Sequence, residues 1–229
     1  GEVERALAAG FPDRRVRYTA VNPPARDLDH VVELSRNHEG GPSVTVGARD
    51  TLERLAERDF DGPLWVRVNP GVGAGHHEKV ATGAEPKFGV PFDRVEAVVA
   101  DAREMGYDVV GLHAHAGSGI TSEEGLDAHR ELARRMGDLV REVGALEAVN
   151  VGGGLGVPYR PEEEPLDLHA VAKATRVAVG EVDATLGIEP GRYVVADAGV
   201  LLATVNTVKP SPDTLVVFTA CGMTTLIRP

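Results

Sequence analysis

Cysteine is almost absent: Cys221 stands alone in 229 residues. One thiol cannot close an intramolecular disulfide, so the fold has to be held by its core, and a reducing, cytoplasmic setting is the expectation. Aromatic residues amount to only 4%, with a single tryptophan, which leaves Val, Leu, Ile and Ala to build that core. Lysine is scarce as well. Lys79, Lys87, Lys173 and Lys209 are the only four, and arginine supplies the rest of the positive charge. The net charge of −11 sets nucleic acid aside as the main partner. No apolar run approaches the roughly 18 residues that a membrane span needs.

What is present is a regular alternation. Strands are predicted at 16–20, 43–46, 64–68, 109–113, 147–151 and 185–189, separated by a helix at about 27–37, one starting at 50, and others at about 94–105, 123–143 and 168–179, with a further helix at 2–9. Asp27 reads as a helix cap, and Asp50 with Glu53 reads as an N-cap with a carboxylate at N3. Six strands alternating with helices indicate an α/β fold with a parallel sheet and right-handed crossovers. An open doubly wound sheet satisfies that pattern, but two features favour a (β/α)8 TIM-type barrel. Loops of chemical character follow at least four strands at their C-terminal ends, where such a barrel places its active site. The last three also recur evenly: 37 residues separate His115 from Gly152, and 37 separate Gly152 from Glu189. Six strands are two short of eight, so the expectation is an incomplete barrel over residues 1–195 that lacks about two N-terminal strands. From 196 to 229 the texture changes to closely spaced strands, expected as the beginning of a C-terminal β domain.

Chemistry concentrates in three loops. The strand Val109–His113 runs into Ala114-His115-Ala116-Gly117-Ser118-Gly119, with His113 and His115 on one face and a Gly-Ser-Gly turn suited to an anion such as phosphate. The next strand ends in Gly152-Gly153-Gly154-Leu155-Gly156, where successive glycines bring backbone very close to something, either a phosphate or a tight barrel corner. This is not a dinucleotide fingerprint, because Val157 stands where the third glycine is needed and no helix follows at once. Third comes Glu189-Pro190-Gly191-Arg192. A carboxylate there can face the ring nitrogen of a pyridine cofactor, and Arg192 can meet a phosphate or a substrate carboxylate.

His113-Ala114-His115-Ala116-Gly117-Ser118-Gly119, Gly152-Gly153-Gly154, Glu189-Pro190-Gly191-Arg192 and Gly222-Met223-Thr224-Thr225-Leu226-Ile227-Arg228-Pro229 occur in an order and spacing that resembles the pyridoxal-phosphate-dependent decarboxylases of the alanine racemase-like barrel fold. Lys87-Phe88-Gly89-Val90 and Ala198-Gly199-Val200-Leu201-Leu202 fit the same family, and the resemblance covers essentially the whole chain. It implies pyridoxal 5'-phosphate as cofactor, His115 stacked on its ring, and Ser118 with the backbone of Gly152, Gly153 and Gly154 around its phosphate. It further implies Glu189 at the pyridine nitrogen and Arg192 and Arg228 on substrate carboxylates, in a homodimer with shared active sites. Arg67, at a strand end facing the barrel mouth, is either a support for the cofactor or one half of a structural ion pair. The implied reaction is loss of CO2 from the α-carbon of an amino acid. The Leu226-Ile227-Arg228-Pro229 ending resembles the branch acting on diaminopimelate, whose distal carboxylate Arg228 would grip; ornithine or arginine would need an acidic contact instead.

Two departures qualify the resemblance. The family links its cofactor covalently to a lysine on the first barrel strand, and none of the four lysines stands at a matching strand end, so this polypeptide alone is expected not to decarboxylate. Ala220-Cys221 also replaces the usual Asp-Ala before Gly222-Met223. Three other readings compete. His113-x-His115 suits a metal-dependent hydrolase, but Asn150 and Thr185 are not the further ligands such a site requires. A regulatory or cofactor-carrying relative would explain the missing lysine. An amino-acid racemase of this fold would resemble its family in placing Arg, not Glu189, at the ring nitrogen.

Overall fold

The computed structural model describes residues 1–19, 21–37, 41–72, 87–222 and 224–225. The chain divides into two compact units, Gly1–Tyr193 and Val194–Pro229. The first unit carries strands β1 (Arg17–Thr19), β2 (Ser43–Val46), β3 (Leu64–Asn69), β4 (Val90–Pro91), β5 (Val109–His113), β6 (Ala148–Asn150) and β7 (Thr185–Gly187). Helix α1 (Glu2–Ala8) precedes β1, and α2 (Ala25–Asn37), α3 (Arg49–Ala56), α4 (Val95–Glu104), α5 (Glu123–Val143) and α6 (Leu168–Val179) fall between the strands. A short α7 (Arg192–Val195) ends the unit and crosses into the next. The second unit holds an antiparallel pair, β8 (Val205–Ser211) with β9 (Thr214–Thr219).

All strands of the first unit are parallel, in the order β1-β2-β3-β5-β6-β7, with β4 beside β3. This is the predicted run of six strands. Alternation along each strand separates two faces. Val44, Val46, Leu64, Val66, Val68, Leu112, Ala114, Val149 and Val151 point one way and are buried against helix residues such as Leu52, Val99, Leu132 and Met136. The other face carries Arg17, Thr19, Thr45, Trp65, Arg67, His113 and Asn150, brought into line by the register pairs Thr19↔Thr45, Thr45↔Trp65, Arg67↔His113 and His113↔Asn150. Gly111 interrupts β5 because a Cβ there would lie 2.5 Å from the Trp65 ring.

The polar face is concave. Six strands laid flat would set the outer two roughly 24 Å apart, yet the Arg17 guanidinium on β1 bonds directly to the Glu189 carboxylate just past β7. The sheet therefore curls until its two edges meet through side chains. It forms six of the eight strands of a (β/α)8 barrel, helices outside and polar face within.

Helix caps differ from the sequence expectation in two places. α2 begins at Ala25, so Asp27 lies inside the first turn, its N–H donating to the Pro24 carbonyl at 3.0 Å. α3 begins at Arg49 behind Ala48, which makes no side-chain cap, and Asp50 also falls in the first turn. Both carboxylates act on the helix dipole rather than on orphan N–H groups. Side-chain caps are made instead by Ser122, accepting from the Gly125 N–H, and by Asp167, accepting from His169 and Ala170. Lys87 follows a segment, 73–86, that lies outside the described residues, as do Met223 and Arg228.

Candidate active site

Three strand ends build the site. At the end of β6, the Asn150 Oδ1 accepts the Gly152 N–H at 2.8 Å, an Asx turn that the positive φ of Gly152 (76°) permits. β3 ends the same way, with Asn69 Oδ1 accepting from Gly71 N–H at 2.8 Å and Gly71 at φ 66°. Past β7, the Glu189 N–H donates to the Gly152 carbonyl at 2.8 Å, which ties the third loop to the second. The first two loops are joined by Ile120 N–H to Gly154 O and Gly156 N–H to Ile120 O, each 2.9 Å.

The glycines are required by that packing. A Cβ on Gly153 would stand 1.8 Å from the Glu189 carbonyl oxygen, and one on Gly154 would stand 1.9 Å from the Gly117 carbonyl. On Gly152 it would meet the Ala114 carbonyl at 2.5 Å. No side chain fits at any of the three, so the loops after β5, β6 and β7 form one close-packed rim.

On this rim, Glu189 is the hub. His113 Nε2 donates to Oε2 at 3.0 Å, while Arg17 and the Asn150 amide (3.4 Å) donate to Oε1. Burial works to raise the carboxyl. The His113 hydrogen bond and the Arg17 guanidinium outweigh it, holding Glu189 down at about 2. It is ionised throughout the physiological range. Arg67 faces the same carboxylate; burial lowers its affinity for its proton and Glu189 restores part of it. Its guanidinium makes no hydrogen bond among the described residues and stands 5.7 Å from the Phe88 ring.

Both histidines of the β5 motif are neutral. Burial depresses His113 and His115 below the ordinary histidine range, and Arg67 adds repulsion to each. His115 Nδ1 accepts the Gly153 N–H at 3.3 Å, so its proton sits on Nε2. The Ser118 hydroxyl is exposed and without a partner among the described residues. Arg192 is exposed, three residues beyond Glu189, with its guanidinium 6.0 Å from the Tyr159 ring.

The structure thus brings His115, Glu189 and Gly152–Gly154 into one cluster. It leaves Ser118 and Arg192 on the surface beside it, and Arg228 lies outside the described residues. Two members were missed in the sequence. Asn150 carried a signal in its Asn-x-Gly, repeated at Asn69. Arg17 carried none, because only the curl of the sheet brings it to Glu189.

The donor set fits a pyridoxal group. An ionised, partly exposed carboxylate with acceptor capacity to spare suits a protonated ring nitrogen. A neutral imidazole and a half-buried guanidinium stand next to it, and a free hydroxyl lies on the adjoining loop.

Comparison with known proteins gives the same direction. The pyridoxal binding domain of the pyridoxal-dependent decarboxylases matches residues 1–196. Diaminopimelate decarboxylase of Methanothermobacter thermautotrophicus is 38% identical over 242 aligned positions that take in the whole chain and 54% of that protein. A crystal structure of a diaminopimelate decarboxylase is similar at a TM-score of 0.79 and 33% identity, over all of this chain and 55% of the other. That of M. jannaschii, in co-complex with L-lysine, is similar at 0.81 and 28%, again over all of this chain and 55% of the other. The chain spans about half the length of the curated relatives it matches. On the match across residues 1–196, the chain belongs to the pyridoxal-dependent decarboxylase family, through its pyridoxal-binding domain.

Proposed function

We propose that this chain holds pyridoxal 5'-phosphate and that the protein it belongs to decarboxylates meso-diaminopimelate to L-lysine. The observation that carries the reading is Glu189, an ionised carboxylate held from two sides at the mouth of a curled sheet, next to His115. When bound, the cofactor supplies an electron sink for the pair left at the α-carbon as CO2 departs. Glu189 keeps a proton at the ring nitrogen, which strengthens that sink. His115 would hold the ring by stacking, and because it is neutral it adds no charge that would compete for Glu189. Ser118 and the Gly154 N–H would hold the phosphate, the Gly152 and Gly153 N–H groups being donated to Asn150 and His115. Arg192 and Arg228 bind substrate carboxylates, Arg228 the distal one.

The substrate reading is supported by relatives named diaminopimelate decarboxylase and by a similar structure in complex with L-lysine. L-Lysine is what remains when one carboxylate leaves a 2,6-diamino diacid. We further propose a cytoplasmic homodimer with shared active sites, and a barrel domain over 1–195 followed by a β domain from 196. Among the described residues no helix is long and apolar enough to cross a membrane.

The test has two parts. The chain should bind pyridoxal phosphate, and Glu189→Gln should weaken binding at least tenfold. The full open reading frame that contains these residues should yield a product that releases CO2 from meso-diaminopimelate in preference to ornithine or arginine. Failure of the chain to bind would remove the cofactor reading; preference for ornithine would overturn the substrate.

A further inference from the structure

His113 is the one polar side chain of the β5 motif to which the pyridoxal reading gives no task. It is 2% exposed. Its Nε2 lies 3.0 Å from Glu189 Oε2, and its Nδ1 is buried with no partner among the described residues. A bare Nδ1 and a carboxylate at Nε2 fix the tautomer: the ring is neutral and its single N–H points at Glu189. A second proton would have to sit on Nδ1, buried without an acceptor, in keeping with the lowered proton affinity of the ring. The parallel register places Arg67, His113 and Asn150 side by side on three adjacent strands, one layer below Glu189. Of the groups facing the carboxylate, Arg17 on β1 and Arg67 on β3 are cationic, whereas His113, His115 and Asn150 are not.

A neutral donor orients a carboxylate without cancelling its charge. A guanidinium at the same oxygen would orient it as well, but would compete with a protonated pyridine nitrogen for that charge. We propose that His113 is a positioning residue that aims the Glu189 carboxylate at the cofactor ring nitrogen through its Nε2–H. This rests on the pyridoxal reading of the site. It adds a second link below Glu189, so that the ring nitrogen is served by a carboxylate whose own orientation is set by a buried imidazole.

The test uses the full chain and pyridoxine 5'-phosphate, which has the ring nitrogen and phosphate but no aldehyde to condense with lysines. Binding is followed by emission of Trp65, the only tryptophan, which lies on the same concave face. His113→Leu should weaken binding at least tenfold. His113→Gln, whose amide N–H can reach the same place, should stay within threefold of the parent. On a Glu189→Gln background, His113→Leu should add less than a further twofold, because its effect runs through that carboxylate. His113→Ala takes the place of Leu should the latter not fold. Three outcomes overturn the proposal while leaving the pyridoxal reading standing: parent-like binding by His113→Leu, a His113→Gln as weak as Leu, or a full tenfold loss persisting without the Glu189 charge. A parent chain that does not bind the probe at all overturns the pyridoxal reading, and this proposal with it.

Discussion

Glu189 is ionised because of what surrounds it, and its titration is a direct check. Its carboxyl is held at about 2 against an ordinary value of 4.5. The native state therefore gains stability from the carboxylate above pH 4.5 and loses it progressively as the pH falls toward 2. Glu189→Gln should flatten that part of the acid-unfolding curve relative to the parent, as read by denaturant unfolding at pH 5, 4 and 3. The neighbouring glycines give a sharper contrast. Gly153→Ala puts a methyl 1.8 Å from the Glu189 carbonyl, so backbone has to move. It should cost about 1–3 kcal/mol or more and weaken binding of pyridoxine 5'-phosphate as well. Gly10 also has a positive φ, 86°, but nothing lies within 4 Å of its absent Cβ. Gly10→Ala should cost about 1–2 kcal/mol of backbone strain and leave binding unchanged.

At the scale of elements, the same short device ends two strands. Asn69 and Asn150 each stop a strand by accepting an N–H two residues on, and each is followed by a glycine of positive φ. Only Asn150 also reaches Glu189. Asn150→Ala should lower stability by about 1–3 kcal/mol, since the buried Gly152 N–H loses its acceptor, and Asn69→Ala should cost less, because Gly71 is exposed and its N–H can turn to water. Asn150→Ala alone should weaken binding of pyridoxine 5'-phosphate, and equal binding by the two variants would show that the turn, not the link to Glu189, is what matters. The strand behind the site is a separate question of packing. Leu112 is fully buried between sheet and helices, and Leu112→Ala should cost about 2–5 kcal/mol, measurable as a shift in the urea midpoint at unchanged m-value.

Across the whole molecule, histidines that burial depresses govern the response near neutral pH among the described residues: His113 and His129 are buried, and His115 is half-buried. Burial lowers His113, His115 and His129 below 6.5, with Arg130 adding to the effect at His129. The unfolded chain takes up their protons first. Their contribution to stability is therefore complete above pH 6.5 and is lost as the pH falls below it, with a slope of up to about 1.4 kcal/mol per pH unit for each histidine. Thermal unfolding between pH 7.5 and 5 should show this decline, and His129→Gln should reduce it without touching the site, because His129 bonds Thr175 between α5 and α6.

The order of elements was legible along the chain because alternation of period 2 and helical periodicity are local properties. Val44-Thr45-Val46 and Leu64-Trp65-Val66 already announce which residues face the helices and which face inward. The Gly-Ser-Gly, the triple glycine and Glu189 were legible too, since a loop that brings backbones into contact has to spend glycines on it. Helix starts were less so: Asp27 and Asp50 are acceptable both at a cap and in a first turn, and the chain entering the helix decides between them. What no local pattern contained was the company Glu189 keeps. Arg17 lies 172 positions away, and it reaches the carboxylate only because the sheet curls. His113 and Asn150 become partners of that group only because parallel register sets them on neighbouring strands. The sequence by itself determined the strands, the rim glycines and the acid. The tertiary structure alone decided which donors surround that acid and therefore its charge, because electrostatic environment depends on distance in space and not on distance along the chain.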